Sequence, residues 1–157
     1  MQKPQKHSRL RSTSIQLIFL ACILLISFVS SSFNSVRVRT ITFTASDGLE
    51  ITADEYVIAP EKPYVILFHE QGSSRGEFST IARRICKLEY NCLAVDLRNG
   101  GNYNYVSNET VRKLRGKQLD TGLKGIELDL LASIRYASEK SKSPVVLLGS
   151  GANGSLS

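Results

Sequence analysis

The sequence predicts an α/β fold in which an antiparallel hairpin precedes a largely parallel central sheet. Three observations lead to this prediction: an alternating segment near residue 40, three short runs of consecutive apolar residues, and two amphipathic helical patterns between those runs. Short apolar runs are typical of strands buried on both faces, and their alternation with helices is typical of parallel sheets.

The hairpin comes first in the chain. Residues 36–45 alternate between two sets of side chains with a period of two, which indicates a strand. Asp47 and Gly48 form a tight-turn dipeptide, and residues 49–59 follow as the expected partner strand.

Strands and helices then alternate along the chain. The buried strands are expected at residues 64–68, 91–97 and 144–148. Apolar residues spaced by three and four predict one helix from Phe78 to Leu88 and another from Leu123 to Ala137, the second capped at Asp120-Thr121. Residues 106–121 predict only irregular or weakly helical structure. Because the chain ends at Ser157, the last strand would keep an uncovered face and edge, so we expect the sequence to be incomplete.

The N-terminal segment resembles an export signal in its order of parts. Basic residues 1–11 precede an apolar run at 15–29 and a tract of small residues at 30–32. Residues 15–33 are also about as long as the ~20 residues that span a bilayer. We therefore expect residues 1–33 to be a signal peptide or an N-terminal membrane anchor. The protein would then be periplasmic, secreted or anchored to the membrane, and its recovery entirely from the cytosol in a cell fractionation would contradict this.

The charge and the metal-binding side chains exclude several functions. Four of the 20 basic residues lie in the first 11 positions, which leaves 16 against 14 acidic residues with no basic stripe, so we expect no nucleic-acid partner. His7 and His69 are the two histidines and no Cys/His cluster has ligand spacing, so we expect neither a metal site nor a cofactor. Cys86 and Cys92 are expected to be buried free thiols.

Residues 69–76 form the first candidate site, because they follow the strand at 64–68. A glycine-containing loop at the carboxyl end of such a strand can direct backbone N–H groups at charge that develops in a transition state. The alternative is an ordinary turn in which His69 hydrogen-bonds to the backbone.

Residues 149–155 form the second candidate site and allow three interpretations. Gly149-x-Gly151-x-x-Gly154 matches the dinucleotide-binding pattern, whereas the same turn after a strand also matches a nucleophile elbow. The dinucleotide pattern normally opens its domain, but here about 100 residues of α/β structure come first. A glycine-rich turn without a ligand is the third interpretation.

The order of these segments resembles α/β-hydrolases of the dienelactone hydrolase-like, serine esterase-like group. The resemblance covers residues 36–157 and depends on residues 68–77, residues 91–101, Asp129 with Tyr136, and Gly149-Ser150. It implies an α/β-hydrolase-type, mostly parallel sheet with an N-terminal antiparallel hairpin, truncated after the nucleophile-elbow strand.

The resemblance also implies roles for individual residues. The loop of His69, Glu70, Gln71 and Gly72 would supply an oxyanion-hole N–H near Glu70 or Gln71, and Ala152 would supply the second. Asp96 and Arg98 would structure the turn after their strand. The nucleophile belongs at position 151, where the sequence has Gly151, which has no side chain to acylate.

No other residue is expected to replace the missing nucleophile or base. Ser150 precedes the apex of the elbow, so its side chain would point away from the site. The catalytic acid and histidine of the family would lie beyond Ser157. We therefore expect an exported hydrolase of the carboxylic ester or acyl class whose given sequence is catalytically inactive. Its expected partner is a small ester-like substrate or ligand. If residues 1–33 are retained, the protein also contacts the membrane. The alternatives are a Rossmann-type nucleotide-binding protein and a non-catalytic envelope protein.

Overall fold

The hairpin predicted for the start of the domain is present in the computed structural model, which describes residues 35–141 and 143–156. Strand β1 (Arg37–Thr44) pairs antiparallel with β2 (Glu50–Val57), with Thr44 opposite Glu50. Gly48 closes the turn at a φ of +82°, and Asp47 accepts a hydrogen bond from the Leu49 N–H at 3.2 Å. The turn thus has the chemistry that its Asp-Gly pair predicts.

The remaining elements alternate as the sequence predicts. They are β3 (Tyr64–Phe68), α1 (Ser79–Cys86), β4 (Asn91–Val95), β5 (Asn102–Tyr103), β6 (Val106–Ser107), α2 (Glu109–Leu114), α3 (Leu123–Lys140), β7 (Val146–Gly149) and α4 (Gly151–Gly154). A 3₁₀ turn at Arg75–Phe78 leads into α1, and β5 and β6 form a small hairpin of their own.

The five long strands form one mixed sheet in the order β1-β2-β4-β3-β7. Strand β2 is antiparallel to β4, whereas β4, β3 and β7 are parallel to one another. This topology confirms the predicted sheet. The carboxyl ends of the three parallel strands lie at one edge, which brings the loops that follow β3, β4 and β7 together.

Two hydrophobic cores lie on the two faces of this sheet, but they do not cover its edge strand β7. Val146 and Leu148 are 47% and 40% exposed, so the prediction of a buried strand at 144–148 is wrong in its burial.

Alternate residues of β3 supply the two cores: Tyr64, Ile66 and Phe68 belong to the core under α3, and Val65 and Leu67 belong to the core under α1. All five are buried. Because both faces of β3 are covered, its sequence is a continuous apolar run rather than an alternating one.

Helix α1 is shorter and less deeply buried than its apolar spacing predicts. It ends at Cys86, so Leu88 lies beyond it and is 68% exposed, and Ile81 within the helix is 42% exposed. Cys86 and Cys92 are both buried and free, which confirms that prediction.

Two helix starts differ from their predictions. A regular helix, α2, occupies part of the segment predicted to be irregular or weakly helical, because the Asn108 side chain caps it by accepting from the Val111 N–H at 2.8 Å. The predicted cap of α3 at Asp120-Thr121 is wrong. Gly122 is the N-cap residue, and Asp120 instead accepts the Gly122 N–H at 2.7 Å in the preceding turn.

The predicted signal peptide or membrane anchor at residues 1–33 lies outside the described residues. None of the helices that the structure describes has both the length and the apolar character needed to cross a bilayer.

Candidate active site at the carboxyl edge of the sheet

A sharp turn connects β7 to α4 and has its apex at Gly151. The φ of Gly151 is +55°, a left-handed conformation that glycine adopts without strain. The Ser150 N–H donates to the Phe68 carbonyl at 2.9 Å, which fixes the turn against β3. A Cβ on Gly154 would lie 2.7 Å from the Gly149 carbonyl oxygen, so the first turn of α4 packs closely on its own strand. This strand–turn–helix geometry is that of a nucleophile elbow.

The Glu70 carboxylate lies directly over the apex of the elbow. A Cβ built on Gly151 would overlap both carboxylate oxygens of Glu70. Glu70 therefore occupies the space from which the side chain of a nucleophile would project. Ser150, on the other side of the apex, is half-buried and serves as the N-cap residue of α4 without a side-chain capping bond.

Two backbone N–H groups, next in sequence to Glu70 and to Gly151, have no hydrogen-bond partner among the described residues. The Glu70 N–H already donates to the Glu77 carboxylate at 3.1 Å, and the Gly72 N–H donates to the Asn99 carbonyl at 3.0 Å. Gln71 and Ala152 make no such bond within residues 35–141 and 143–156. These two are therefore the donors free to meet an oxyanion, and that role stays a prediction.

The His69 side chain is fully buried and joins two loops. Its Nδ1 donates to the Glu70 carbonyl at 2.7 Å, and its Nε2 accepts from the Leu97 N–H at 2.9 Å. Because Nε2 accepts a hydrogen bond, the neutral tautomer with its proton on Nδ1 satisfies both contacts. Burial lowers the pKa of His69 below its usual value. The ring thus positions the loop and is not placed to act as a general base.

Replacing His69 with alanine is expected to lower the free energy of unfolding by about 1–3 kcal/mol, because the buried Leu97 N–H loses its acceptor. The native protein should also lose stability as the pH falls below 6.5, because the unfolded state binds a proton that the folded ring resists. Urea unfolding at pH 7.5 and 5.5 measures both effects, with exposed Gln71→Ala as control. A His69→Ala deficit that is equal at both pH values would contradict the assignment.

Asn153 is a site residue that the sequence analysis missed. It is 1% exposed and its side-chain amide donates to the His69 carbonyl at 2.7 Å, while its Oδ1 accepts from the Asn99 amide at 2.8 Å. Asn153 therefore ties the elbow to the loops after β3 and β4. Its only signal in the sequence was a polar residue between the glycines of the turn.

Asp96 and Arg98 structure the loops around the site. Asp96 accepts from the Arg75 N–H at 2.8 Å, from the Arg75 guanidinium at 2.6 Å and from the Glu109 N–H at 2.8 Å. Arg98 pairs with Asp129 on α3 and with Asp47 in the hairpin turn. Both side chains are buried, so they hold the loop after β4 from within the domain.

A cavity of about 380 Å³ opens beside the loop at residues 69–72. It is lined by Glu70, Gln71, Gly72, Ser73, Glu77 and Tyr103. Two carboxylates face this cavity, so it disfavours anionic ligands. Within the described residues, no group of three or more His, Cys, Asp or Glu side chains is arranged to hold a metal ion.

The fold is similar to that of solved hydrolase structures. An esterase from Pyrobaculum calidifontis covers 92% of this chain with a TM-score of 0.57 and 16% identity, over 44% of its own length. A dienelactone hydrolase from Anabaena variabilis covers 76% with a TM-score of 0.53 and 16% identity, over 54% of its length. An esterase from Pyrococcus furiosus covers 73% with a TM-score of 0.51 and 24% identity, over 42% of its length.

These similarities concern the fold, because every identity is low. The chain spans 42% of the length of the Pyrococcus furiosus esterase and 36% of the length of DcsB, another structure with a similar fold. No family model matches the sequence, and no curated protein matches it either.

Proposed function

We propose that this chain, whose described residues have the α/β-hydrolase fold, supplies part of a binding site for a carboxylic ester or related acyl compound. That part is the elbow at Gly151 and the loop at residues 69–72. The observation that supports this most is the left-handed turn at Gly151, which the Glu70 side chain touches, together with the free N–H groups of the next residues, Gln71 and Ala152. Two free N–H donors at the carboxyl edge of a sheet would suit the carbonyl oxygen of an ester if both point at it. The neighbouring cavity would hold the rest of the ligand.

The same site cannot form an acyl-enzyme at its elbow. Gly151 offers no hydroxyl or thiol, and an acyl intermediate needs one together with a base. The His69 ring is committed to the Glu70 carbonyl and the Leu97 N–H, so it cannot supply that base. We therefore propose that the chain binds ester-like ligands without turning them over.

Turnover of p-nitrophenyl acetate and labelling by a fluorophosphonate probe test the catalytic half of this proposal. For the complete 157-residue chain we expect hydrolysis at the rate of buffer and no label. Ser150→Ala should change neither result, because Ser150 precedes the apex and its side chain makes no capping bond to α4. Turnover by the native chain that Ser150→Ala abolishes would contradict the proposed inactivity.

Backbone amide NMR tests the binding half. Titration with p-nitroacetanilide, a neutral amide analogue of the ester, should shift the Gln71 and Ala152 N–H signals together, because both would donate to its carbonyl. The Glu70 and Gly72 N–H signals should move less, because both groups keep their existing partners. Unchanged Gln71 and Ala152 signals at the solubility limit of the ligand would contradict the proposed site.

The dinucleotide interpretation of the same glycines lacks comparable support. A pyrophosphate at Gly151 would meet the Glu70 carboxylate, which lies over that glycine. Like charges at contact distance repel strongly in a partly buried site. Calorimetric titration with NAD should therefore give no saturable binding.

A further inference from the structure

We propose that a second cavity, at the amino edge of the parallel strands, binds the phosphate group of a phosphate ester. This cavity has a volume of about 240 Å³ and lies where β1 and β3 begin and α3 ends. Gly151 lies at the opposite, carboxyl edge of the sheet, because β3 and β7 run parallel. The proposal is therefore independent of the ester site.

Three cationic side chains converge on this cavity. Arg37 and Arg39 are two residues apart in β1, so their side chains lie on the same face of the sheet. Lys140 ends α3 and reaches the same cavity from the helix, with its ammonium 5.4 Å from the ring centre of Tyr136. Neither Arg37 nor Lys140 forms an ion pair with any residue in the described part of the chain. Their charges are free to meet a ligand.

One carboxylate lines the cavity, and its hydrogen bonds are already committed. Glu55 is fully buried and accepts from Arg39 Nε at 2.6 Å, from the Tyr64 hydroxyl at 2.7 Å and from the Tyr136 hydroxyl at 3.1 Å. Burial and the nearby Glu55 charge raise the pKa of Tyr136 to about 12, so this phenol remains a donor. Glu55 therefore holds Arg39 in place without neutralising Arg37 or Lys140.

The balance of charge selects the class of ligand. Three cations against one carboxylate leave a net charge of +2 around the cavity. A phosphate monoester carries about −1.5 to −2 at neutral pH, which matches this charge better than a single carboxylate does. Guanidinium groups also bind phosphate oxygens in a two-pronged geometry. Val57, Pro60 and Tyr64 complete the wall and suit the organic part of an ester.

The sequence indicates two sources for such a phosphate. Arg37 follows Phe33, the end of the predicted signal peptide or anchor, by four residues, which extend over at most ~14 Å. If residues 1–33 anchor the protein, the head group of a phospholipid lies within reach of the cavity. A soluble phosphate ester presents the same chemistry.

A pair of matched double variants of the complete chain tests the site. Arg37→Gln with Lys140→Gln removes two unpaired cations from the cavity, and Arg84→Gln with Lys87→Gln removes the same two charges from the exposed end of α1. The chain is held in a zwitterionic detergent, and glycerol 3-phosphate is titrated by calorimetry. We expect about tenfold weaker binding for the cavity variant, in line with the loss of charge-assisted hydrogen bonds, and no change for the control.

Vesicles distinguish the two sources at constant ionic strength. Binding is compared between phosphatidylcholine vesicles with and without phosphatidic acid, for the native chain and both variants. If the cavity variant binds more weakly than the control variant only to vesicles containing phosphatidic acid, the site takes a lipid phosphate. If the cavity variant also binds glycerol 3-phosphate more weakly than the control variant does, the site takes soluble phosphate esters. The proposal is overturned if neither probe binds the cavity variant more weakly than the control variant.

Discussion

Replacing Arg98 with alanine is expected to lower the free energy of unfolding by about 3–5 kcal/mol, because it leaves a buried carboxylate without its partner. The side chains of Arg98 and Asp129 are both fully buried. Asp129 accepts the Arg98 backbone N–H at 2.9 Å and the Arg98 guanidinium at 2.7 Å. Burial alone would lower the pKa of Arg98, but its hydrogen bonds to Asp129 and Asp47 outweigh this and raise that pKa. Burial raises the pKa of Asp129, and the hydrogen bonds from the Arg98 guanidinium and N–H oppose that rise, so the carboxylate depends on this one arginine.

Three positions of the fold depend on this arginine. Besides Asp129 on α3, it donates to Asp47 in the hairpin turn at 2.6 Å and to the Asp120 carbonyl before α3 at 2.7 Å. Its loss should therefore loosen the hairpin turn and the start of α3 together. Chemical denaturation followed by circular dichroism measures the change in unfolding free energy.

Two further variants test whether the loss of stability comes from the buried ion pair. Arg112→Ala removes an exposed pair with Glu109 and should cost less than about 1 kcal/mol. Arg98→Met combined with Asp129→Leu removes both buried charges and should recover much of the stability lost in Arg98→Ala. An Arg98→Ala protein as stable as Arg112→Ala would show that the buried pair does not hold the domain.

Most of the fold could be predicted because burial determines the local composition of each element. Strand β3 is covered on both faces, and its five apolar residues indicate a strand without any tertiary information. Helix α2 could not be predicted in the same way. Its residues are largely polar, and its start depends on Asn108 and on Asp96, which accepts the Glu109 N–H from a distant strand end.

The site could be predicted only as far as its backbone. The elbow at Gly151 and the loop at His69 follow from glycines placed after apolar strands. The carboxylate of Glu70 over Gly151 and the Glu77 bond to the Glu70 N–H depend on side-chain positions between loops. The basic cavity depends on Arg37 and Lys140, which lie about 100 positions apart, and no local pattern relates them.

Replacing Gly151 with cysteine is expected to create a nucleophile at the elbow. Its thiol should take the acetyl group of p-nitrophenyl acetate and release a burst of about one equivalent of p-nitrophenolate per protein chain. A thiol is a few per cent ionised at neutral pH, so it reacts without the paired histidine that a serine needs. The acetyl oxygen would then meet the Gln71 and Ala152 N–H groups. The φ of +55° costs a non-glycine residue about 1–2 kcal/mol. Glu70 must also withdraw, and it can because only the end of its flexible side chain is in the way.

A second cysteine at a neighbouring position separates the effect of the site from that of the thiol. Ser155 is exposed, lies one turn beyond the apex and donates its hydroxyl to the Ala152 carbonyl, so Ser155→Cys offers the same thiol chemistry four residues from the apex. All variants carry Cys22→Ser, and Cys86 and Cys92 are buried. One oxyanion donor contributes about 100-fold or more in established hydrolases, so acylation at position 151 should be at least about tenfold faster than at 155. Equal rates in folded variants would mean that the elbow and its loop do not form an oxyanion site.

The charge of Glu70 is expected to affect the rate at which a cysteine at position 151 is acylated. This negative charge beside the new thiol favours the neutral form, so it slows acylation. Gly151→Cys combined with Glu70→Gln should therefore react faster at neutral pH than Gly151→Cys alone, and the difference should shrink as the pH rises and both thiols ionise. A pH profile of the burst rate measures this. If Glu70→Gln leaves that profile unchanged, the Glu70 carboxylate does not remain beside the thiol at position 151.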